Sequence, residues 1–342
     1  MAKRLAVFNH KGGVSKTTST YNIGWMMSKT SRILMVDADP QCNLTGLFLR
    51  GDFEKYYLEE ATKNQNLRDG VAPAFSGKPI PIVAVDCLTP QRAPNLRLLA
   101  GHANLSEWEA SLTFAQTASA ALATLQNLPG AFAELLRLTE EKYNIDYTII
   151  DMNPGLSAIN QNLFLIADGF VIPTNPDPFS IMALDTLEKL LPRWAAWKIG
   201  AVPLFADAAY PLPSGTPKFC GTLIQRFNIR NGKAAKPYRD NIDEINSTIV
   251  ANVVPALAKA NMMLPAADYG SLVNRRYCLS QIQDFHGLLP KSHDAGVPVF
   301  ELTDAEINEQ GSVLEGAKKN RDAFRAQFKV ISDEVSALLS HA

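Results

Sequence analysis

The sequence has 342 residues, of which 46% are hydrophobic and 20% are charged, and its formal net charge is −1. This length suits one large α/β domain or one domain with a sizeable insertion, and the composition is ordinary for a globular protein. The near-zero charge excludes a uniformly basic protein, so any binding to nucleic acid or to a membrane must come from local patches. Four scattered cysteines form no Cys-x-x-Cys pair, which argues against a disulfide framework or zinc site and predicts a cytoplasmic location.

Short apolar runs alternate with helical patterns along the chain. The runs that we predict as strands occupy residues 4–9, 32–39, 147–152, 169–175 and 219–227, with two further strands at 95–101 and 201–206. Helical patterns occupy residues 17–29, 104–142 and 180–194. The strand runs are nearly continuous in Val, Ile, Leu and Phe, as in parallel strands covered on both faces. The pattern predicts an α/β fold with a doubly wound, mostly parallel sheet and helices on both faces.

Two regions interrupt this alternation, and we interpret both as elaborations of a single domain that spans residues 1–342. Residues 50–94 are punctuated by Pro and Gly and predict a loop with a short strand, whereas residues 228–284 are first polar and then helical.

The charge-free stretch 110–133 is long enough to cross a membrane, but its polar residues and Pro129 predict a helix with one buried face, without membrane insertion. Apolar residues at helical spacing predict a C-terminal helix docked on the domain, rather than a membrane-binding one.

The stretch "VFNHKGGVSKTTSTYN" (7–22) predicts a phosphate-binding loop between a strand and a helix. The strict pattern G-x-x-x-x-G-K-[ST] would place glycines at His10 and Ser15, so the match is imperfect. Two neighbouring glycines still allow a close backbone approach to a phosphate, a lysine can reach the β- and γ-phosphates, and the next threonine can bind Mg²⁺. Ser15 is tolerated if its φ is negative. The predicted nucleotide-binding residues are Gly12, Gly13, Val14, Ser15, Lys16, Thr17 and Thr18. The alternative is a plain loop.

A second lysine begins this loop, and the segment "KGGVSKT" resembles the deviant Walker A motif of the ParA/MinD family of ATPases. The resemblance implies a P-loop NTPase fold and an ATP-sandwich homodimer in which Lys11 crosses to the nucleotide of the partner subunit. The sequence departs from the family at His10 and Ser15, where glycine is common.

Two more segments are similar to motifs of the same family. "ILMVDADPQCNLT" (33–45) resembles its switch I, which implies that Asp39 orients or activates the attacking water and that Asp37 lies near the metal. "YTIIDMNPGLSAIN" (147–160) resembles its Walker B and switch II, which implies that Asp151 holds Mg²⁺. Asn153 and Gly155 depart from the family pattern. The alternatives are turn formation for the first two aspartates and a helix cap for Asp151. The predicted catalytic residues are Lys11, Lys16 and Asp39, and the predicted metal ligands are Thr17, Asp37 and Asp151.

Later segments match the family in the same order. "ADGFVIPTNPDPFSIMALDTL" (167–187) resembles a dimer-facing region. "GTLIQRFNIR" (221–230) aligns with the strand that ends near the base, so Gln225 or Arg226 is expected beside the adenine. "LPKSHDAGVPVFEL" (289–302) resembles the loop that closes over the base and nominates Pro290. Ordinary packing is the alternative for each of these residues.

Two clusters of basic residues are candidate DNA contacts. There is no acidic residue between Ala208 and Arg239, and a second cluster lies near the C-terminus. Such clusters neutralise phosphates without reading sequence, although a solvated basic face is the alternative. The candidates are Arg226, Arg230, Lys233, Lys236, Lys318, Lys319, Arg321 and Arg325.

The resemblance implies a ParA-type ATPase that binds Mg·ATP, dimerises on ATP and binds DNA non-specifically, so that it associates with the nucleoid. It would hydrolyse ATP slowly until a ParB-like partner stimulates it, and it would drive partition of DNA or positioning of a cargo. Two alternatives stay open: a MinD-like positioning switch on a membrane or protein scaffold, and a nucleotide-binding regulatory subunit with little turnover. Zincin, hydrolase-elbow and dinucleotide-binding motifs are absent from the sequence.

Overall fold

A parallel β-sheet forms the centre of the molecule. The computed structural model describes residues 2–117, 125–230, 233–234 and 236–342. Within them, seven strands form one sheet in the order β3-β2-β4-β1-β5-β6-β9, and β7 and β8 form a small separate hairpin. The strands are β1 (Lys3–Val7), β2 (Ile33–Ala38), β3 (Leu96–Leu99), β4 (Tyr147–Met152), β5 (Gly169–Thr174), β6 (Lys218–Phe227), β7 (Ile229–Arg230), β8 (Lys233–Ala234) and β9 (Cys278–Gln283).

Helices connect these strands and cover both faces of the sheet. They are α1 (Lys16–Met27), α2 (Asn43–Leu49), α3 (Phe53–Leu58), α4 (Leu67–Phe75), α5 (Glu109–Thr117), α6 (Leu128–Tyr143), α7 (Ala158–Leu165), α8 (Pro178–Ala201), α9 (Lys236–Thr248), α10 (Val254–Lys259), α11 (Leu288–Ala295), α12 (Asp304–Ile307) and α13 (Gly311–His341). Short 3₁₀ turns occupy Arg50–Asp52, Leu105–Trp108, Val202–Phe205, Ala266–Leu272 and Val299–Glu301. A π-helical turn, Ile249–Val253, joins α9 to α10.

The predicted doubly wound sheet is confirmed. All six strand pairings of the large sheet are parallel, and β1 lies between β4 and β5. The strands are buried because alternate side chains enter two different cores, one on each face of the sheet. The carboxyl ends of β1, β2, β4, β5 and β6 therefore meet along one edge, which is where ligands bind in open α/β sheets.

Three element predictions were wrong. The apolar run 201–206 is not a strand, because α8 continues to Ala201 and a 3₁₀ turn follows it. The 50–94 region contains helices, notably α4 (Leu67–Phe75), where we expected a loop. The edge strand β9 (Cys278–Gln283) was missed because its outward side chains are polar, which hides the strand in the sequence.

The C-terminal helix α13 docks on the domain as expected. Its apolar stripe is buried, and the helix packs against α1, β1 and β9. The stretch 110–133 divides between α5 and α6, and its middle lies outside the described residues. In the described part of the chain, no helix combines the length and apolar character that crossing a membrane requires.

Candidate nucleotide site

The loop that joins β1 to α1 makes two left-handed turns within three residues. Gly13 has φ 72° and Ser15 has φ 61°. The negative φ that would make Ser15 easy to tolerate is not found: Ser15 occupies a conformation that favours glycine. Val14 between them is buried and anchors the loop to the core. The turns place the loop backbone around the N-terminus of α1, whose free N–H groups favour an anion.

A cleft of about 420 Å³ opens beside this loop at the carboxyl edge of the sheet. It brings together segments that are far apart in the sequence: the loop itself, the residues after β2 and β4, and the ends of β6 and β9. Its lining residues are Gly12, Gly13, Val14, Ser15, Lys16, Thr17, Thr18, Asp39, Gln41, Asn43, Pro154, Gln225, Arg226, Ile282, Gln283, Asp284, Phe285 and Leu289.

Lys16 lies at the base of the cleft with its ammonium folded back onto the loop. Its Nζ donates to the carbonyl oxygens of Asn9 and Lys11, both at 2.9 Å. Burial lowers the pKa of Lys16 to about 8, and the nearby carboxylates of Asp151 and Asp39 offset only part of that effect. An ammonium held this way gains from an added anion, so Lys16 is suited to bind phosphate.

Asp151 has the properties of a metal ligand. Its carboxylate is buried at the end of β4, and its Oδ2 has no hydrogen-bond partner among the residues that the structure describes. The Thr20 hydroxyl donates to Oδ1 at 3.4 Å, and the Thr17 side chain lies beside the carboxylate. Burial raises the pKa of Asp151 well above its ordinary value, and the neighbouring Asp37 raises it further. A buried carboxylate oxygen without a donor, next to a threonine hydroxyl, fits a hard cation such as Mg²⁺.

Both carboxylate oxygens of Asp37, which we predicted as a metal ligand, accept hydrogen bonds from the chain. Its Oδ2 accepts from the Thr45 N–H at 2.8 Å and the Thr45 hydroxyl at 2.7 Å, and its Oδ1 accepts from the Asp39 N–H at 3.2 Å. The Thr45 hydroxyl in turn accepts from the N–H of Gly101, where an added Cβ would lie 3.0 Å from the Asp37 side chain. Because both oxygens are already engaged, Asp37 holds the turn that follows β2. Burial raises its pKa to about 6.

Asp39 lines the cleft as the resemblance implies. Only 7% of its surface is exposed, and its Oδ1 accepts from the N–H of Gln41 at 2.9 Å. This hydrogen bond fixes the turn after β2 and aims the carboxylate into the cleft. A carboxylate fixed in this position is suited to orient a water molecule.

The segment after β4 is held by an asparagine of the next helix. The Nδ2 of Asn160, in α7, donates to Asn153 Oδ1 at 2.6 Å, to Asn153 O at 3.1 Å and to Gly155 O at 3.0 Å. Gly155 has φ 124°, which side chains rarely tolerate. The two departures from the family pattern therefore form one local structure, in which Asn153 supplies the acceptor and Gly155 the turn.

The far end of the cleft is lined by the ends of β6 and β9. Gln225 lies there and donates to the Ser19 hydroxyl at 2.5 Å. Pro290 is exposed in α11 and does not line the cleft; the neighbouring Leu289, together with Phe285, lines it.

Lys11 lies at the rim of the loop and contacts its own chain. Its Nζ lies 2.6 and 2.5 Å from the two carboxylate oxygens of Asp177 and donates to the Ser180 hydroxyl at 3.0 Å. The ring of Phe179 lies 5.9 Å from the same Nζ. In this arrangement Lys11 does not reach the cleft of its own subunit.

The candidate DNA contacts lie in different surroundings in the structure. The Nη1 of Arg226 donates to Gly13 O at 3.3 Å, so this residue belongs to the cleft. Near the C-terminus, Lys318 and Arg321 pair with Asp304, and Arg325 pairs with Asp322. Lys236 and Lys319 are exposed, and neither forms an ion pair with another described residue. The side chains of Arg230 and Lys233 lie outside the described part of the structure.

Two asparagines hold the loop, and sequence reasoning missed both. Asn9 donates to Pro173 O at 2.9 Å and accepts from the Lys11 N–H at 3.0 Å, while Asn175 donates to Gly13 O at 2.9 Å. Both join the loop to the end of β5. In the sequence, each asparagine follows a buried strand within two residues, and this position is the signal of its role.

Comparison with known proteins identifies the family of the chain. A family model described as an AAA domain matches residues 2–195, more than half of the chain. Over 191 residues the chain is 28% identical to the chromosome partitioning protein ParA of Caulobacter vibrioides, which covers 55% of this chain and 62% of that protein. This chain belongs to the ParA/MinD family of P-loop ATPases. The ParA-family chain spans about half to two thirds of the length of the curated relatives that it matches.

Solved structures share the fold of this ParA-family chain at low sequence identity. A variant of McdA from Cyanothece in complex with ATP has a TM-score of 0.57 and 17% identity, and the match covers 93% of this chain and 96% of that one. The ParA of pNOB8 bound to nonspecific DNA has a TM-score of 0.56 and 16% identity, and the match covers 100% of this chain and 98% of that one. These similarities confirm the ParA-like P-loop fold.

Proposed function

We propose that this ParA-family chain binds Mg·ATP in the cleft and hydrolyses it slowly. One observation carries the proposal: the cleft brings together the buried Lys16 ammonium and the carboxylate of Asp151, whose Oδ2 has no donor among the described residues. Lys16 and the α1 N-terminus would hold the phosphates, and Thr17 and Asp151 would hold Mg²⁺, which offsets phosphate charge when bound. A McdA variant with the same fold is known in complex with ATP, which supports nucleotide binding in this chain.

The base and the attacking water would lie at opposite ends of the cleft. Phe285 and Leu289 offer apolar surface for the adenine, and Gln225 and Arg226 lie beside them. Asp39 would orient the water, because its carboxylate is fixed at the phosphate end of the cleft by the N–H of Gln41.

The dimer and its partners are also part of the proposal. Lys11 would cross to the nucleotide of a second copy, so ATP would form part of the homodimer interface. The dimer would bind DNA non-specifically, as the pNOB8 ParA does. Of the candidate contacts described, Lys236 and Lys319 are the cations that remain exposed and unpaired. A ParB-like partner would stimulate turnover, and the cycle would partition DNA or position a cargo.

The test measures molar mass by light scattering after size exclusion, with Mg·ATP, with Mg·ADP and without nucleotide. We expect the wild type to dimerise only with ATP, Lys16→Ala to lose nucleotide binding, and Lys11→Ala to bind ATP but to dimerise more weakly. Asp39→Ala should bind ATP, lose turnover and remain dimeric. Lys189→Ala, which removes an exposed lysine of α8, is the matched control and should behave as the wild type.

Three results would contradict parts of the proposal. If the dimer forms equally well without ATP, or equally well in Lys11→Ala, the two subunits do not share the nucleotide as proposed. Full turnover in Asp39→Ala rules out its assigned role. A dimer that binds ATP without turnover, with or without DNA, instead indicates a regulatory subunit.

Binding to a random DNA duplex, measured against salt concentration, tests the DNA assignment, because phosphate contacts weaken as salt rises.

A further inference from the structure

The ion pair between Lys11 and Asp177 joins the phosphate-binding loop to the first turn of α8. The two residues are 166 positions apart, and both carboxylate oxygens of Asp177 lie within 2.6 Å of the Lys11 Nζ. Asp177 is also the N-cap of α8, where its Oδ1 accepts from the Ser180 N–H at 2.8 Å. The lysine that would serve the second subunit is thus held by an element of its own subunit.

The pair lies next to exposed apolar side chains. Phe179 is 69% exposed and Met182 is 64% exposed, both in the first two turns of α8. The Lys11 ammonium lies 5.9 Å from the centre of the Phe179 ring. Large apolar side chains exposed side by side gain free energy when another protein surface covers them. A second copy that covers this face would meet Lys11 while the lysine is still bound to Asp177.

We propose that Asp177 is a positioning residue that retains Lys11 on its own subunit until a second copy of the chain covers the first turns of α8. The inference rests on the proposed function, in which Lys11 crosses to the nucleotide of the partner. On dimerisation, the Lys11 ammonium would leave the Asp177 carboxylate of its own subunit and bind the phosphates of the partner's nucleotide. The Asp177–Lys11 contact therefore opposes dimerisation and keeps the protein monomeric at low concentration.

The strength of the contact suits a release mechanism. The side chains of Lys11 and Asp177 are 20% and 32% exposed, so water screens the pair in part. A pair of this kind shifts an equilibrium by roughly two- to fivefold, and a symmetric dimer must release two of them. Loss of the Asp177 charge should therefore lower the dissociation constant of the ATP-bound dimer by roughly tenfold.

The test is Asp177→Asn, which removes the charge but keeps a side-chain oxygen that caps α8. The dimer dissociation constant is measured by sedimentation equilibrium with Mg·ATP in wild type, Asp177→Asn, Lys11→Ala and the double variant. Asp185→Asn is the matched control, because it removes an exposed carboxylate from the same helix two turns further on. We expect a roughly tenfold tighter dimer for Asp177→Asn alone, no change for Asp185→Asn, and identical behaviour of the double variant and Lys11→Ala.

The double variant separates positioning from a structural effect. If Asp177→Asn still tightens the dimer when Lys11 is already alanine, the effect does not pass through Lys11 and the inference is overturned. An unchanged or weaker dimer for Asp177→Asn overturns it as well. If Lys11→Ala dimerises like the wild type, the proposed function fails instead. Should Asp177→Asn misfold, Ser180→Ala removes a second contact of Lys11 and must tighten the dimer in the same direction.

Discussion

Ser15 carries backbone strain at the centre of the phosphate-binding loop. Its φ of 61° and ψ of 34° place it in the left-handed region, where a side chain costs roughly 1–2 kcal/mol. Its side chain makes no capping hydrogen bond to α1, so the hydroxyl does not offset this cost locally. The path of the loop imposes this conformation, because Asn175 holds the Gly13 carbonyl and the Val14 side chain is buried.

We expect Ser15→Gly to raise the free energy of unfolding by about 1 kcal/mol, because glycine adopts this φ without strain. Chemical denaturation of the nucleotide-free protein measures the change. Ser15→Ala is the control: it removes the hydroxyl but keeps the Cβ, and it should give no gain. An equal gain for alanine would show that the hydroxyl, not the backbone, destabilises the loop.

The protonation of Lys16 should make nucleotide binding depend on pH. Its pKa is lowered to about 8, chiefly by burial, and phosphates that favour the ammonium must raise it again. Binding therefore takes up a proton above pH 8, and the ATP dissociation constant should rise as pH increases, by at most about tenfold per pH unit. Below pH 8 Lys16 is already charged and contributes no such dependence.

Titration calorimetry between pH 7.5 and 9.5, in two buffers of different ionisation enthalpy, checks both the affinity and the proton uptake. Lys16→Arg stays charged throughout this range and should lose the dependence, although its different shape weakens binding. A dissociation constant that stays flat in the wild type up to pH 9.5 would contradict the lowered pKa.

At the scale of elements, α7 controls the segment that follows β4. Its first turn supplies Asn160, which donates to three oxygens of Asn153 and Gly155, and its N-terminal N–H groups donate to the carboxylate of Glu109 in α5. The helix therefore anchors the segment from one side and is itself anchored by α5. Motion of this segment should require the Asn160 contacts to open.

We expect Asn160→Ala to speed amide hydrogen exchange of residues 153–157 by at least tenfold, because the three acceptors lose their shared donor. Asn162→Ala is a matched control in the same helix, since its Nδ2 donates to Pro129 O in α6 and not to this segment. The two exchange maps are compared by mass spectrometry. Equal effects of both variants on residues 153–157 would mean that loss of α7 stability, not the Asn160 contacts, is responsible.

At the scale of the whole molecule, a buried ion pair joins the central strand β1 to helix α6. Arg4 of β1 donates to Glu140 of α6 at 2.7 and 3.0 Å, and Thr148 of β4 donates to the same carboxylate at 2.8 Å. Both charged side chains are at most 10% exposed. This network connects β1, β4 and α6 at the edge of the sheet opposite the cleft.

Glu140→Gln should lower the free energy of unfolding by about 3 kcal/mol, because it leaves the Arg4 guanidinium buried without a counter-charge. Asp146→Asn is the control: it breaks the exposed Arg32–Asp146 pair and should cost less than about 1 kcal/mol. Urea denaturation measures both. A loss for Glu140→Gln no larger than that of the control would mean that water reaches Arg4.

The sequence alone determined the parallel sheet, the phosphate-binding loop and the family. These features depend on short-range patterns, such as continuous apolar strands, paired glycines and the spacing of two lysines. Such patterns can be recognised in the sequence before the fold is known. The same reasoning failed for β9, whose polar edge resembles a loop, and for 201–206, where an apolar helix end resembles a strand. That residues 1–342 form one domain stays a prediction.

The tertiary structure alone decided which groups meet. Gly101 donates its N–H to the hydroxyl of Thr45, the residue that holds Asp37, because β2 and β3 are neighbours. Phe285 and Leu289 reach the cleft because β9 lies beside β6. The partner of Lys11 is 166 residues away, and no local pattern encodes such a distance. The sign of φ at Ser15 likewise follows from contacts of the whole loop. Strand order and register determine these contacts, and both are properties of the folded chain.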